Sequence, residues 1–273
     1  SRAWLQSGRT LLQRKSPHVA GFSLSVGGGF RQQGPRHALN YRRIVIVEST
    51  MNELAIKQAL SETRLATFEA ATRVEPVLSN ALALYAWNAQ VAAAMLAPLH
   101  VCEVVLRNAV SDAIEAVYGH RWPWSPGFEK SLPDSAKGYS PRRDLIQARE
   151  SRVNQGKVIA ELPFFFWQTM FTQRFDARLW GPHLRHVMPA MDASREVASL
   201  RRLIFDELEQ VRKLRNRIAH HEPVFKRDLG ADFQRICKLI AWRSPETATW
   251  LMQNQKVLTL LAERPPIHHQ GRA

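Results

Sequence analysis

The feature that most constrains this chain is the stretch between Pro76 and Gly119. Val77, Leu78, Ala81, Leu82, Leu84, Tyr85, Val91 and Met95 lead into Val101, Val104, Val105, Val110, Ile114 and Val117. Spacings of three and four are the helical period, and Ala and Leu, strong helix formers, dominate the run. Pro98 falls in the middle and suits the first turn of a helix. The pattern therefore predicts two long helices, one ending before Pro98 and one running from it to a stop at Gly119. Similar periodicity predicts helices over 52–71, 157–175, with Pro163 kinking or interrupting it, and 194–219. Two further helices are expected over 228–242 and 245–263. A short polar helix over 141–153 has Ser140 as its cap and Pro141 at its first position. Residues 120–141 read as an irregular connector, with Trp122 and Trp124 between prolines. No strand alternation or hairpin signal stands out. The expected class is all-α: a compact helical domain over 51–273, without internal repeats.

Composition sharpens this. Hydrophobic residues make up 45% of the 273, enough for a sizeable core, which excludes a wholly disordered chain. Two cysteines exclude a disulfide-stapled scaffold and a Cys-based zinc module, and suit a reducing, cytoplasmic setting. No unbroken apolar run reaches the roughly 18 residues of a membrane span, so no membrane partner is expected. The net charge is +14, and residues 1–50 supply half the excess, with eight Lys/Arg against Glu48 alone. That segment also holds six of the 13 glycines, and it reads as a disordered basic extension. The positive charge of the remainder is compatible with an RNA partner.

The chemistry concentrates where the 194–219 helix ends: Arg212, Lys213, Arg215, Asn216, Arg217, His220, His221 and Glu222, closed by Pro223. A solvated basic face with a histidine cap is one reading, since cations interact well with a helix C-terminus, by roughly 0.3–1 kcal/mol each. The other is a site, because imidazole titrates near neutrality and suits acid–base catalysis. At about 100° per residue, Arg215 and His220 lie about 140° apart on a continuous helix. They converge only if the last turn distorts or a second protomer completes the site.

Arg215-Asn216-Arg217-Ile218-Ala219-His220 resembles the R-x4-6-H signature of HEPN-domain ribonucleases, and the string from Leu214 to Pro223 resembles the Abi-like (abortive infection) branch. Other pieces are similar to that branch in order. They are Leu60-Ser61-x-x-Arg64-Leu65, Leu84-Tyr85-x-Trp87-Asn88, Leu99-x-x-x-Glu103-x-x-Leu106-Arg107-Asn108-Ala109, Val158-x-Ala160-Glu161-Leu162-Pro163-Phe164-x-Phe166-Trp167, and Leu179-Trp180. The resemblance implies an all-α HEPN-like bundle with additional helices and a homodimer. It also implies a metal-independent endoribonuclease, without cofactor, in phage defence or toxin-like growth arrest, with an antitoxin or defence-system protein as a further partner. Pro163 and the 50-residue extension depart from the family pattern.

In that frame His220 is expected to transfer protons and Arg215 to hold the phosphate, with His221 as the alternative acid–base group. Asn216 would orient the phosphate or cap the helix, and Arg212, Lys213 and Arg217 would bind RNA. Glu103, Arg107 and Asn108 share one helix, with Glu103 and Arg107 at i, i+4. They read either as a simple ion pair, worth about 0.2–0.5 kcal/mol, or as a shell supporting Arg215 and His220. Arg142-Arg143 and Arg201-Arg202 read first as solvated faces. His183/His186 and His268/His269 lack a third ligand, so no metal site is expected. A non-catalytic helical module that binds RNA or protein is the competing function.

Overall fold

The structure is a computed structural model, described for residues 51–150 and 154–267. The expectations for residues 1–50 and for His268 and His269 lie outside the described residues. The account below concerns the unit that begins at Asn52.

Among the described residues every regular element is helical, and the fold is all-α. Residues 52–60 form a helix that breaks at Ser61, whose φ is 74°. Its hydroxyl accepts from the Arg64 N–H and starts α1 (Glu62–Thr72). The helix expected over 52–71 is thus two helices. The opposite happens at Pro98: α2 is one helix of 42 residues, Val77–Tyr118, with Pro98 inside it. Proline deprives the Ala94 carbonyl of its usual helical donor, yet Pro98 and Leu99 are buried together with Val91, Met95 and Cys102, so packing on both sides carries the helix through.

Helix α2 is the central wall, and α1, α6, α7, α8, α9 and α11 pack against it. The chain leaves it through a 3-10 turn at Trp122–Trp124 into α3 (Pro126–Ser131), capped by Ser125. The supposed irregular connector is therefore partly helical, with Trp122 wholly buried and its Nε1 donating to Ser111 Oγ at 3.1 Å. Next come α4 (Pro141–Glu150), with the Ser140 cap in place, α5 (Gln155–Glu161) and α6 (Phe164–Thr169). Pro163 separates the last two, the interruption its ring favours. A π-helical turn, Asp176–Trp180, leads into α7 (Gly181–Val187), which the periodicity did not signal. Trp180 stacks on Phe171 at 4.3 Å between ring centres, and its Nε1 donates to the Met170 carbonyl.

Helix α8 (Val197–Ala219) starts three residues later than expected, because Ser194 bonds Asp192 instead of capping it. Its buried stripe, Leu200, Ile204, Leu208, Val211, Leu214 and Ile218, keeps strict three–four spacing. Helix α9 (Leu229–Arg243) is capped by Asp228, α10 (Pro245–Asn254) by Ser244, and α11 (Val257–Ala262) follows a break at Gln255-Lys256. Helix α2 is long and apolar enough to cross a membrane by length and composition, although no unbroken apolar run signalled it.

Candidate functional site

The end of α8 is built by backbone hydrogen bonds. The His221 N–H donates to the Ile218 carbonyl at 3.0 Å and the Glu222 N–H to the Arg217 carbonyl at 2.8 Å. These are the two bonds of a Schellman close, which needs a left-handed residue just past the helix cap. Glycine usually fills that place; here it is His221, at φ 54°. A β-carbon in that conformation costs roughly 1–2 kcal/mol. The turn is secured from outside at two points and by its own Arg217 at a third. Arg64 of α1 donates to the His221 carbonyl at 2.7 Å. Asn88, buried in α2, accepts through one oxygen from the N–H groups of Val224 at 2.8 Å and Phe225 at 3.1 Å. Arg217 reaches the Pro223 carbonyl at 3.1 Å.

The backbone is thus fixed while the two imidazoles stay outside. His220 and His221 are exposed, and neither ring has a hydrogen-bond partner among the described residues. Helix α8 remains regular to Ala219, with the His220 N–H bonded to the Asn216 carbonyl at 3.0 Å. The last turn does not distort, so Arg215 and His220 stay on different faces of one chain.

Arg215 turns toward α2. Its Nε lies 3.8 Å from Glu103 Oε2, a loose pair with the Arg215 side chain 44% exposed. Glu103 therefore faces α8, and among the described residues the i, i+4 pair with Arg107, one of its two readings, does not form. Arg107 Nε is buried without a hydrogen-bond partner, and Asn108 is exposed. Of the remaining cations of the motif, Arg212 is held by hydrogen-bonded ion pairing, while the ion pairs of Lys213 and Arg217 are as loose as that of Arg215. Arg212 makes two hydrogen bonds to Glu209, at 2.9 and 2.8 Å, and lies 5.2 Å over the Phe165 ring. Lys213 stands 3.7 Å from the same carboxylate, and Arg217 3.7 Å from Glu222. Arg212 holds the Glu209 carboxyl below the usual carboxylate range, helped by buried Gln168, whose amide donates to it at 2.9 Å. The Asn216 side chain makes no hydrogen bond among the described residues, so it does not cap the helix.

Of the other basic pairs, Arg202 lies on a solvated face, 3.9 Å from Asp206, while the other three arginines hold backbone or carboxylate partners. Arg142 clamps the carbonyls of Glu129, Lys130 and Leu132, Arg143 those of Ser135 and Gly138, and Arg201 takes Asp176 with two bonds. Among the described residues no group of three His, Cys, Asp or Glu is placed to hold a metal ion.

Two positions that hold the turn had no assigned role in the sequence reading: Arg64 and Asn88. The signal for Asn88 was available. A carboxamide within an apolar helix must find partners, and a segment whose backbone donors it satisfies is the natural one.

Comparison with protein-family models, with curated proteins and with solved structures finds no match.

Proposed function

We propose that this chain is a metal-independent endoribonuclease of the Abi-like/HEPN type, acting as a homodimer in defence or growth arrest. The observation that supports this best is convergence. Arg64, Asn88 and Glu103, drawn from three of the motif segments, reach respectively the His221 carbonyl, the 224–225 backbone and Arg215. Segments resembling one family in order thus gather along the end of α8 and the stretch just after it, where the resemblance puts the family's chemistry.

The reaction suited to these groups uses the ribose 2′-hydroxyl. A base takes its proton, O2′ bonds to phosphorus, and the P–O5′ bond breaks. The 5′-oxygen receives a proton from an acid, leaving a 2′,3′-cyclic phosphate and a 5′-hydroxyl. His220 serves as base or acid, with free access to solvent. Arg215, held only loosely, is available to a phosphate through its planar fork. One chain offers this pair on separate faces, so two copies related by a two-fold axis supply the opposed base and acid.

The test is cleavage of single-stranded RNA in EDTA by wild type, Arg215→Ala and His220→Ala. Loss of cleavage in both variants is expected, and equal cleavage by all three overturns the proposal. The separation of Arg215 and His220 in one chain also suits a second reading, a non-catalytic RNA-binding module. It predicts salt-dependent RNA binding with no cleavage under any condition.

A further inference from the structure

Beyond the turn that carries His220 and His221, the same segment enters the wall of a cavity of about 680 Å³, between α1, Trp87 of α2, residues 225–230 and the end of α11. The size falls within the range of small-molecule pockets, about 300–1,000 Å³. Its charge is one-sided: Arg73, Lys226, Arg227 and Arg264 line it against Asp228 alone. Arg227 is matched by Asp232 at 2.7 Å, and Asp228 is used in capping α9 through the Ala231 N–H. Among the described residues Lys226 and Arg264 have no carboxylate partner. Arg264 is preset nonetheless: it donates to the Phe225 carbonyl at 2.7 Å and its guanidinium lies 5.5 Å over the Trp87 ring. The residue is exposed, so the guanidinium is both anchored and accessible.

We propose that this cavity is a nucleotide subsite, in which an unstacked base lies on the outer face of the Arg264 guanidinium and a phosphate is met by Lys226. Guanidinium planes are regular platforms for splayed bases of single-stranded RNA, and a fixed one loses little freedom on stacking. The cavity adjoins the candidate site through two connections. Thr67 in its wall is one helical turn from Arg64, which grips the His221 carbonyl. Phe225 is held by Asn88 in the same stretch of chain. A strand crossing the histidine turn would therefore place a neighbouring nucleotide here. The choice of an RNA strand as the source rests on the ribonuclease reading; the nucleotide chemistry does not.

The experiment uses the full chain and a labelled 2′-O-methyl oligoribonucleotide, which binds but offers no nucleophile, read by fluorescence anisotropy across a salt series. Arg264→Lys keeps the charge and removes the plane, and is expected to weaken binding about tenfold. Lys226→Gln is expected to lower the salt slope by about 0.7. Ala70→Trp, at an exposed wall position, adds bulk to the cavity while keeping both cations in the chain, and should weaken binding as Arg264→Lys does. Competition by adenosine 5′-monophosphate at similar concentration, lost in Ala70→Trp, supports the subsite with a free nucleotide as its source; competition only by oligomers supports it with RNA. Affinities unchanged in all three variants overturn the proposal, and so does equal competition by polyglutamate, which would mark a general anion surface. A chain that binds the probe through these residues yet never cleaves RNA keeps the subsite and loses the ribonuclease.

Discussion

In the first turns of α9, Asp232 is 3% exposed and takes hydrogen bonds from both Arg227 and Arg235, while Arg235 also holds Glu207 at 2.6 Å. At the end of α8, Arg215 meets its carboxylate at 3.8 Å, and the two histidines beyond it meet no partner. Both regions are dense in cations. In the first, buried carboxylates fix every guanidinium, and the groups serve cohesion. In the second, the cohesion comes from backbone bonds, Arg64 and Asn88, leaving Arg215 and the two imidazoles available. A cation's role here follows from what faces it rather than from how many cations stand nearby.

The comparison predicts opposite mutational profiles. The largest effect should come from His220→Ala, which is expected to lower RNA cleavage by 10²–10⁴-fold, the usual range for losing an acid–base group, with the urea midpoint unchanged. Cleavage rates and equilibrium unfolding on the same preparation check both halves. Asn88→Leu comes next. It leaves two buried N–H groups without an acceptor, each worth about 1–3 kcal/mol, so unfolding free energy should drop by roughly 2–5 kcal/mol. Arg235→Ala should reverse the His220 profile. A drop of about 1–3 kcal/mol is expected from the lost charged hydrogen bonds to Asp232 and Glu207, which keep only Arg227 and Lys238, with cleavage per folded molecule unaltered; a loss of cleavage equal to that of His220→Ala would erase the distinction between the regions.

His221→Gly sharpens the choice between the two imidazoles. Removing the β-carbon at φ 54° should stabilise the protein by about 1 kcal/mol, with cleavage retained if His220 is the acid–base group and lost if His221 is. The smallest effect belongs to Glu103→Gln. Loose exposed pairs contribute about 0–1 kcal/mol, so stability should stay within about 0.5 kcal/mol while RNA affinity rises slightly.

The buried stripe of α8 and the Ser140 and Ser244 caps were legible because each depends on local spacing or a single hydroxyl. The position of Arg215 and His220 outside the core followed from the same stripe. What escaped was tertiary. Pro98 is locally a helix start, and only packing on both sides overrides that preference. Glu103 is locally the partner of Arg107, and only the approach of α8 redirects it. The Arg64 and Asn88 bonds span 157 and 136 residues, beyond the reach of any periodic pattern. The π-helical turn at Asp176–Trp180 likewise has no periodic signature, since the Phe171–Trp180 stack and the Trp180–Met170 bond fix it.

The uninterrupted course of α2 has a dynamic corollary. With α1, α6, α7, α8, α9 and α11 all leaning on one rod, no layer can detach without baring part of it to water. Amide protons near Val91 to Leu106 should therefore exchange with deuterium only when the whole domain opens. Helices α10 and α11, each burying a single residue, Leu251 and Val257, should open long before.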